Sequence, residues 1–221
     1  MKTVARFIRW SGLVALAGLV AARAGAQSPA PSDRLAPSTR AALDRLLDSA
    51  RAFGLPTAPL TDKAAEGVLK GADDDRILRA VQSLLRDYID ARGAIGANVS
   101  PGLLGAAASA LHAGLTTADL RRLARASGAR VDDASLESAF VTIVDLVARR
   151  VPATAAANAA QTLLSHRAGD REFAALRAGV EEDVLAGRPS EASLADRMRI
   201  QLHALDPASM DGVVPRRPPP G

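Results

Sequence analysis

The feature that most constrains this fold is the spacing of its large apolar residues, which recur with a helical period along most of the chain. Seven of them between residues 77 and 89 fall at positions i, i+1, i+4, i+7, i+8, i+11 and i+12. This one-sided spacing is typical of a helix that lies on a core, and no stretch shows the sustained two-residue alternation of a strand. The sequence therefore predicts an all-α fold. Its four stripes are Leu43, Leu46, Leu47 and Ala50; Ile77, Leu78, Val81, Leu84, Leu85, Tyr88 and Ile89; Leu136, Phe140, Ile143, Val144 and Val147; and Phe173, Leu176, Val180 and Val184.

Residues that begin and end helices agree with these stripes. Gly54 is placed to end the first helix as a C-terminal cap. Ser100 is placed to cap a helix whose first residue is Pro101, where the missing N–H of proline has no partner to lose. Asp170 is placed to cap the helix that contains Phe173. We predict nine helices, at about 38–53, 61–70, 74–92, 101–113, 117–127, 135–149, 153–167, 171–186 and 190–205.

Four turns along the chain resemble one another, with turn positions at residues 71, 114, 150 and 187, which are 43, 36 and 37 residues apart. An apolar residue lies three positions before each turn position, and a residue suited to starting a helix lies two positions after it. This spacing is in the range of repeated helical pairs, and a single hairpin cannot bury its apolar face alone. We therefore predict antiparallel helical hairpins, about four stacked pairs plus an N-terminal helix, in a short α-solenoid or an irregular bundle.

The first 26 residues have the three parts of a cleavable secretory signal peptide. Residues 1–9 are basic, residues 10–22 are apolar, and Ala24 and Ala26 place small side chains at positions −3 and −1 of a cleavage site. The apolar run is shorter than the roughly 20 residues of a membrane-spanning helix. We expect cleavage after Ala26 and export to the periplasm or the extracellular medium of a bacterium. No later run is apolar enough to predict a membrane span.

The exported chain divides into three parts by composition. Residues 27–37 are rich in Pro, Ser and Ala and are expected to form a linker, and residues 206–221 are expected to form a disordered proline-rich tail. The helical domain is predicted to occupy residues 38–205. Because its flanks have few large apolar residues, we expect residues 27–36 and 208–221 to be dispensable for folding.

Charge and composition exclude several classes of function. The chain has 28 basic and 24 acidic residues, but Lys2, Arg6, Arg9 and Arg23 all lie in the signal peptide, which has no acid. The exported part is therefore neutral and lacks the basic surplus of a nucleic-acid-binding protein. The absence of cysteine excludes disulfides, thiol catalysis and cysteine metal sites.

The three histidines, His112, His166 and His203, have no partner at metal-ligand spacing. The first two fall near the C-terminal ends of predicted helices, where an imidazole suits the helix dipole. The acidic run from Asp73 to Asp75 lacks the ordered ligands of an EF-hand. We interpret it as the cap and first turn of a helix, where acids bind free N–H groups.

Two charged runs on predicted helices also have structural interpretations. Glu181, Glu182 and Asp183 are consecutive, so their carboxylates point in different directions, and Arg177 lies four residues before the first of them. We interpret this run as a solvated face with salt bridges. The group of Arg121, Arg122 and Arg125 resembles the basic face of a helix-turn-helix, but the export signal and the neutral exported chain argue against DNA binding.

No nucleophile elbow, Ser-x-x-Lys pair, phosphate loop or dinucleotide-binding motif occurs in the chain. The sequence gives no basis for an enzymatic activity, and we assign no catalytic, cofactor-binding or metal-ligating residue and no cofactor. Stacked hairpins expose long continuous faces, so the leading hypothesis is an interaction or scaffold protein of the cell envelope whose partner is another envelope protein. The alternative is a small-ligand-binding protein or an enzyme with a pocket between hairpins. A deep pocket of converging polar groups would favour the alternative, and an exposed groove would favour the first hypothesis.

Overall fold

The computed structural model describes residues 34–127 and 133–206. The predicted signal peptide, most of the predicted linker and the predicted tail beyond Asp206 lie outside these residues. The described part is all-helical, as predicted, with nine helices and no strand. The helices are α1 (Pro37–Ala52), α2 (Ala58–Leu69), α3 (Asp74–Ile95), α4 (Pro101–His112), α5 (Thr117–Ser127), α6 (Asp133–Ala148), α7 (Ala153–Ser165), α8 (Asp170–Leu185) and α9 (Ser190–Leu205).

Side-chain caps begin α3 and α4 at Asp73 and Ser100, as the sequence predicted. The Oγ of Ser100 accepts a hydrogen bond from the backbone N–H of Leu103 (3.1 Å), which is the predicted cap of α4. The cap of α8 was predicted one residue too late. Gly169 holds that position, its N–H donates to Oε2 of Glu172 (2.9 Å), and Asp170 is the first residue of the helix.

Six helices end in the same backbone motif of two hydrogen bonds. The N–H of one residue donates to the carbonyl five residues before it, and the N–H of the preceding residue donates to the carbonyl three residues before that residue. The residue that makes the second of these hydrogen bonds has a positive φ, as at Gly71 (68°), Gly114 (106°), Arg150 (67°) and Gly187 (85°). These are the four predicted turn positions. The motif also ends α1 at Gly54 and α7 at Arg167. It is therefore a general helix stop in this chain and does not by itself mark a repeat.

The helices pack in two rows that meet at α3. One row runs through α3, α4, α6 and α8, and the other runs through α3, α5, α7 and α9. In three of the four predicted pairs the two helices lie side by side. These pairs are α2 with α3, α6 with α7, and α8 with α9. The pair α4 and α5 differs, because α4 packs mainly on α3 and α6 while α5 packs mainly on α3 and α7. The helices form a stacked all-α arrangement of the bundle or solenoid type, and α3 joins it to α1 and α2.

The core is built from the predicted apolar stripes. Phe140 and Phe173 are fully buried among Leu, Ile, Val and Ala side chains, and Tyr88 is also buried. Phe53, the remaining aromatic residue of the described part, is 55% exposed at the end of α1. Ala takes a large share of the core in α4 and α7, which allows close approach of neighbouring helices.

One residue of the predicted linker belongs to the core. Leu35 is 3% exposed, and its carbonyl accepts a hydrogen bond from Nη2 of Arg40 (3.2 Å). The next N–H, of Ala36, donates to Oδ2 of Asp74 at the start of α3 (3.1 Å). The expectation that residues 27–36 are dispensable for folding is therefore wrong at Leu35, because trimming the chain to Ala36 would remove a buried leucine.

Within residues 34–127 and 133–206, none of the helices combines the length and the apolar character that crossing a membrane requires.

Candidate functional site

A cleft of about 830 Å³ lies over α3 between α2 and the C-terminal end of α4. We call it the α3 cleft. Its floor is formed by Ile77, Ala80, Ser83 and Leu84 of α3, and Val144 of α6 closes one side. Its walls carry Lys63, Glu66, Gly67, Lys70, Gly71, Ala72, Arg76, Ser109, His112 and Ala113. The site thus combines a largely apolar floor with charged walls.

Gly67 sets the width of the cleft, because it lets α2 approach α3 closely. A Cβ added at Gly67 would lie 2.6 Å from Cγ1 of Ile77, a distance that carbon atoms do not tolerate. Ile77 is 3% exposed and fixed in the core, so it has little freedom to move away. A side chain at position 67 would therefore push α2 away from the floor of the cleft.

Three charges on α2 form one network along the wall. Nζ of Lys63 lies 2.9 Å from Oε2 of Glu66, and Nζ of Lys70 donates to the other oxygen, Oε1. The hydrogen bonds from Lys70 and then Lys63 lower the pKa of Glu66 to about 2. Glu66 is therefore ionised at any physiological pH, and it keeps two ammonium groups on the same wall.

The opposite rim carries Arg76 and His112. The guanidinium of Arg76 is exposed and makes no hydrogen bond or ion pair within the described residues. Nδ1 of His112 lies 3.3 Å from Oδ2 of Asp87. Burial raises the pKa of Asp87, although the hydrogen bond to His112 opposes this shift. Arg76 is thus available to an incoming group, while His112 already has a partner.

Most of the polar groups described in the cleft already have partners within the protein. Among the described residues no three His, Asp or Glu side chains lie close enough together to hold a metal ion. The same part of the chain has no buried side-chain polar atom without a hydrogen-bond partner. Ser83 and Ser109 line the cleft, and the hydroxyl of Ser109 donates to the carbonyl of Gly105 (2.9 Å).

The other histidines do not line the cleft, and the acidic run borders it, between the lining residues Ala72 and Arg76. Nδ1 of His166 bonds the carbonyl of Thr162 in the last turn of α7 (2.9 Å), which agrees with its predicted position at a helix end. His203 lies beside it in a smaller depression of about 410 Å³ at the end of α9. Oδ1 of Asp73 accepts from the N–H of Arg76 (2.7 Å), so the predicted capping role of this run is confirmed.

The prediction for Glu181 to Asp183 is only partly right. Glu181 pairs with Arg149 of α6 (2.9 Å) and not with the expected Arg177, whose Nε lies 3.7 Å from Asp145. The carboxylates of Glu182 and Asp183 do not point apart, because both accept from Nη2 of Arg197 (3.2 and 2.8 Å). Asp183 does not belong to a solvated face, since it is 6% exposed.

Sequence reasoning missed Asp183 as the centre of an ion cluster. Nε and Nη2 of Arg197 on α9 donate to its two oxygens (2.9 and 2.8 Å), and Nη1 of Arg188 lies 3.2 Å away. The hydrogen bond from Arg197 is the main cause that lowers the pKa of Asp183 to about 2. A signal was present, because residue 183 continues the i, i+3, i+7 stripe of Phe173, Leu176 and Val180. We call these three charged residues, Asp183, Arg188 and Arg197, the Asp183 cluster.

The basic residues that resembled a helix-turn-helix lie on α5, whose Leu120 and Leu123 are fully buried. Nη2 of Arg122 bonds Oδ1 of Asp119 (2.9 Å), and its Nη1 reaches Oδ1 of Asn158 on α7 (3.4 Å). Arg121 and Arg125 are exposed. Part of this group therefore joins α5 to α7.

Comparison with known proteins adds no relative to this description, since no protein-family model, no curated protein and no solved structure matches the chain.

Proposed function

We propose that this chain is an exported protein-interaction module of the cell envelope, which binds a segment of another protein in the α3 cleft. The observation that carries the proposal is the combination of an apolar floor and exposed charged walls in one depression spanning four helices. Clefts with apolar floors and polar rims are typical of surfaces that bind polypeptide segments.

The openness of the walls favours a polypeptide over a small molecule. The side chains of Lys70, His112 and Glu66 are 71%, 69% and 42% exposed, so they border the cleft and do not converge on a buried point. Small-molecule sites bury most of the ligand surface and place a few polar groups around it. A segment of a partner protein would cover the floor and leave the rim groups at the edge of the interface.

The export part of the proposal rests on the sequence alone. The basic start, the apolar run of residues 10–22 and the small residues Ala24 and Ala26 support cleavage after Ala26. The neutral charge of the exported chain supports a protein partner in the envelope over a nucleic acid. N-terminal sequencing of the exported protein is expected to begin at Gln27, and an intact Met1 in the membrane fraction would contradict it.

Site-specific photocrosslinking in the producing cell tests the binding surface. A photoreactive phenylalanine analogue is placed at Ser83, a half-buried residue of the cleft floor, or at Gln82, its exposed neighbour on α3 that does not line the cleft. We expect one defined protein adduct from Ser83 and none from Gln82, because only the cleft contacts the partner. Equal labelling from both positions, or none from either, would contradict the proposal.

A small ligand remains the second candidate function, and one observation favours it. The volume of the cleft, about 830 Å³, lies within the roughly 300–1,000 Å³ of small-molecule pockets. Native mass spectrometry of protein purified without denaturation tests this candidate. A discrete added mass below about 1 kDa that is lost in Gly67→Leu, where the new side chain meets Ile77, would favour the small ligand.

A further inference from the structure

We propose that the partner segment bound in the α3 cleft is acidic and carries at least one large apolar side chain. This inference rests on the proposed function and names the chemistry of its partner. The cleft is lined by three basic side chains, Lys63, Lys70 and Arg76, against one carboxylate, Glu66. This surplus belongs to the lining itself, because Asp73, Asp74 and Asp75, which precede Arg76 in the chain, are not among the residues that line the depression.

Arg76 is the charge that recruits the partner. Both lysines already donate to Glu66, whereas the guanidinium of Arg76 has no side-chain partner within the described residues. A guanidinium can bind a carboxylate through two parallel hydrogen bonds, which gives more energy and more direction than a single ammonium contact. The lysines then add positive potential along the opposite wall.

The floor sets the second requirement. Leu84 and Val144 are only partly buried where they line the cleft, and Ile77 and Ala80 lie beside them. Ala80, Leu84 and Val144 offer apolar area between the charged walls, whereas Ile77 is already buried. Covering apolar area is the main favourable term in most associations. A leucine or similar residue of the partner would fill this space between the carboxylates.

The occupant is another protein and not this chain's own tail. The proline-rich tail, residues 206–221, balances Asp206 and Asp211 against Arg216 and Arg217, so it lacks the acidic surplus that the cations of the cleft would select. An inorganic anion or a lipid headgroup would satisfy the cations but would leave the apolar floor uncovered. Charge and floor together therefore select an acidic polypeptide segment.

Fluorescence anisotropy with labelled peptides tests the inference on the purified protein. The probe is a 12-residue peptide with two central leucines flanked by glutamates, and its controls replace glutamate by lysine or leucine by serine. We expect the acidic leucine peptide to bind at least about tenfold more tightly than either control. We also expect its affinity to fall as salt rises, because exposed charges are screened.

Arg76→Glu and Arg121→Glu form a matched pair of variants. Arg76 lies in the first turn of α3, where an acid suits the helix dipole, so its replacement should leave the fold intact. Arg121 is an equally exposed arginine on α5 that does not line the cleft. Arg76→Glu should weaken the acidic peptide by about tenfold, whereas Arg121→Glu should change it by less than about twofold. Thermal melts by circular dichroism confirm that both variants fold.

Three results would overturn the inference. The first is equal binding of the lysine and glutamate peptides, and the second is equal weakening by both variants. The third is binding of inorganic phosphate or of phosphatidylglycerol vesicles that Arg76→Glu abolishes while no peptide binds, which would make the cleft an anion site. If the Ser83 crosslink persists while the acidic peptide fails, only the partner chemistry is wrong. If the crosslink is also absent, the proposed function fails as well.

Discussion

The C-terminal ends of α6 and α8 share one backbone motif but lock it with opposite side-chain chemistry. At α6 the N–H of Val151 bonds the carbonyl of Leu146 (3.0 Å), and both side chains are buried, at 2% and 1% exposed. At α8 the N–H of Arg188 bonds the carbonyl of Asp183 (2.9 Å), and the two side chains form an ion pair. The apolar contact that usually accompanies this motif is thus replaced by a charged one.

The helix that follows each turn explains the difference. After the α6 turn, α7 buries six residues, all Ala or Leu, against its neighbours. After the α8 turn, α9 has only two residues classed as buried, Ser193 and Leu194. Because α9 lacks a wide apolar face, Arg197 docks it onto α8 through Asp183. The backbone motif ends a helix in either case, and the side chains decide how the next helix is held.

The largest expected loss of stability is at the C-terminal end of α6, where the contact between side chains is apolar. Leu146→Ala would remove a fully buried side chain and leave a cavity, and we expect a loss of about 3 kcal/mol in the free energy of unfolding. For a chain of this size that corresponds to a fall of roughly 6–12 °C in melting temperature. Urea denaturation followed by circular dichroism measures it. A loss no greater than that of an exposed substitution would mean that the α6 end is not locked by packing.

A smaller loss of stability is expected at the C-terminal end of α8, where the contact between side chains is an ion pair. Asp183→Ala would leave Arg188 and Arg197 without their shared acid, and we expect a fall of about 4–8 °C in melting temperature. This fall is smaller than the one expected for Leu146→Ala because the two arginine side chains are partly exposed, at 44% and 29%. Glu182→Ala is the matched control, because Glu182 also bonds Arg197 but is 76% exposed. If the two variants lower the melting temperature equally, the burial of Asp183 does not add to the stability that its ion pairs provide.

The acid dependence of stability separates the two ends further. The pKa of Asp183 is lowered from 3.8 to about 2 in the folded protein, so its contribution is complete above about pH 4 and is lost as the pH falls through 2. Glu66 and Asp196 also have lowered pKa values, so the comparison must be made against a variant. The melting temperatures of the native protein and Asp183→Asn should differ at pH 6 and converge near pH 2. If the melting temperatures of the native protein and Asp183→Asn differ equally at both pH values, the acid dependence does not come from Asp183. The difference between the native protein and Leu146→Ala should not depend on pH.

The smallest effects concern the backbone that the two ends share. Arg150 holds a φ of 67° without being glycine, whereas Gly187 at the equivalent position has a φ of 85°. Arg150→Gly should stabilise the protein by about 0.5 kcal/mol, because relief of the left-handed conformation outweighs the entropy of glycine. Gly187→Ala should destabilise it by about 1 kcal/mol. Chemical denaturation of the two variants side by side checks the opposite signs.

Local signals in the sequence predicted the helices well and the candidate site poorly. The stripe of α3 and the caps at Ser100 and Asp73 depend on residues close in sequence, so they could be read directly. The α3 cleft brings together residues from α2, α3, α4 and α6, and nothing in the spacing of Lys63, Arg76 and His112 indicates that they share a depression. Leu35 was misassigned for the same reason, since its burial depends on helices that follow it in the chain.

By itself the sequence determined the helical class, the position of each described helix to within a few residues and the four turn positions. These follow from period, capping and the left-handed residue at a helix stop, which are properties of short segments. Only the tertiary structure decided that α4 and α5 separate onto different neighbours, that Gly67 brings α2 against Ile77, and that Asp183 holds α9. Those features depend on which helix faces meet, and that choice is made by the packing of the whole core.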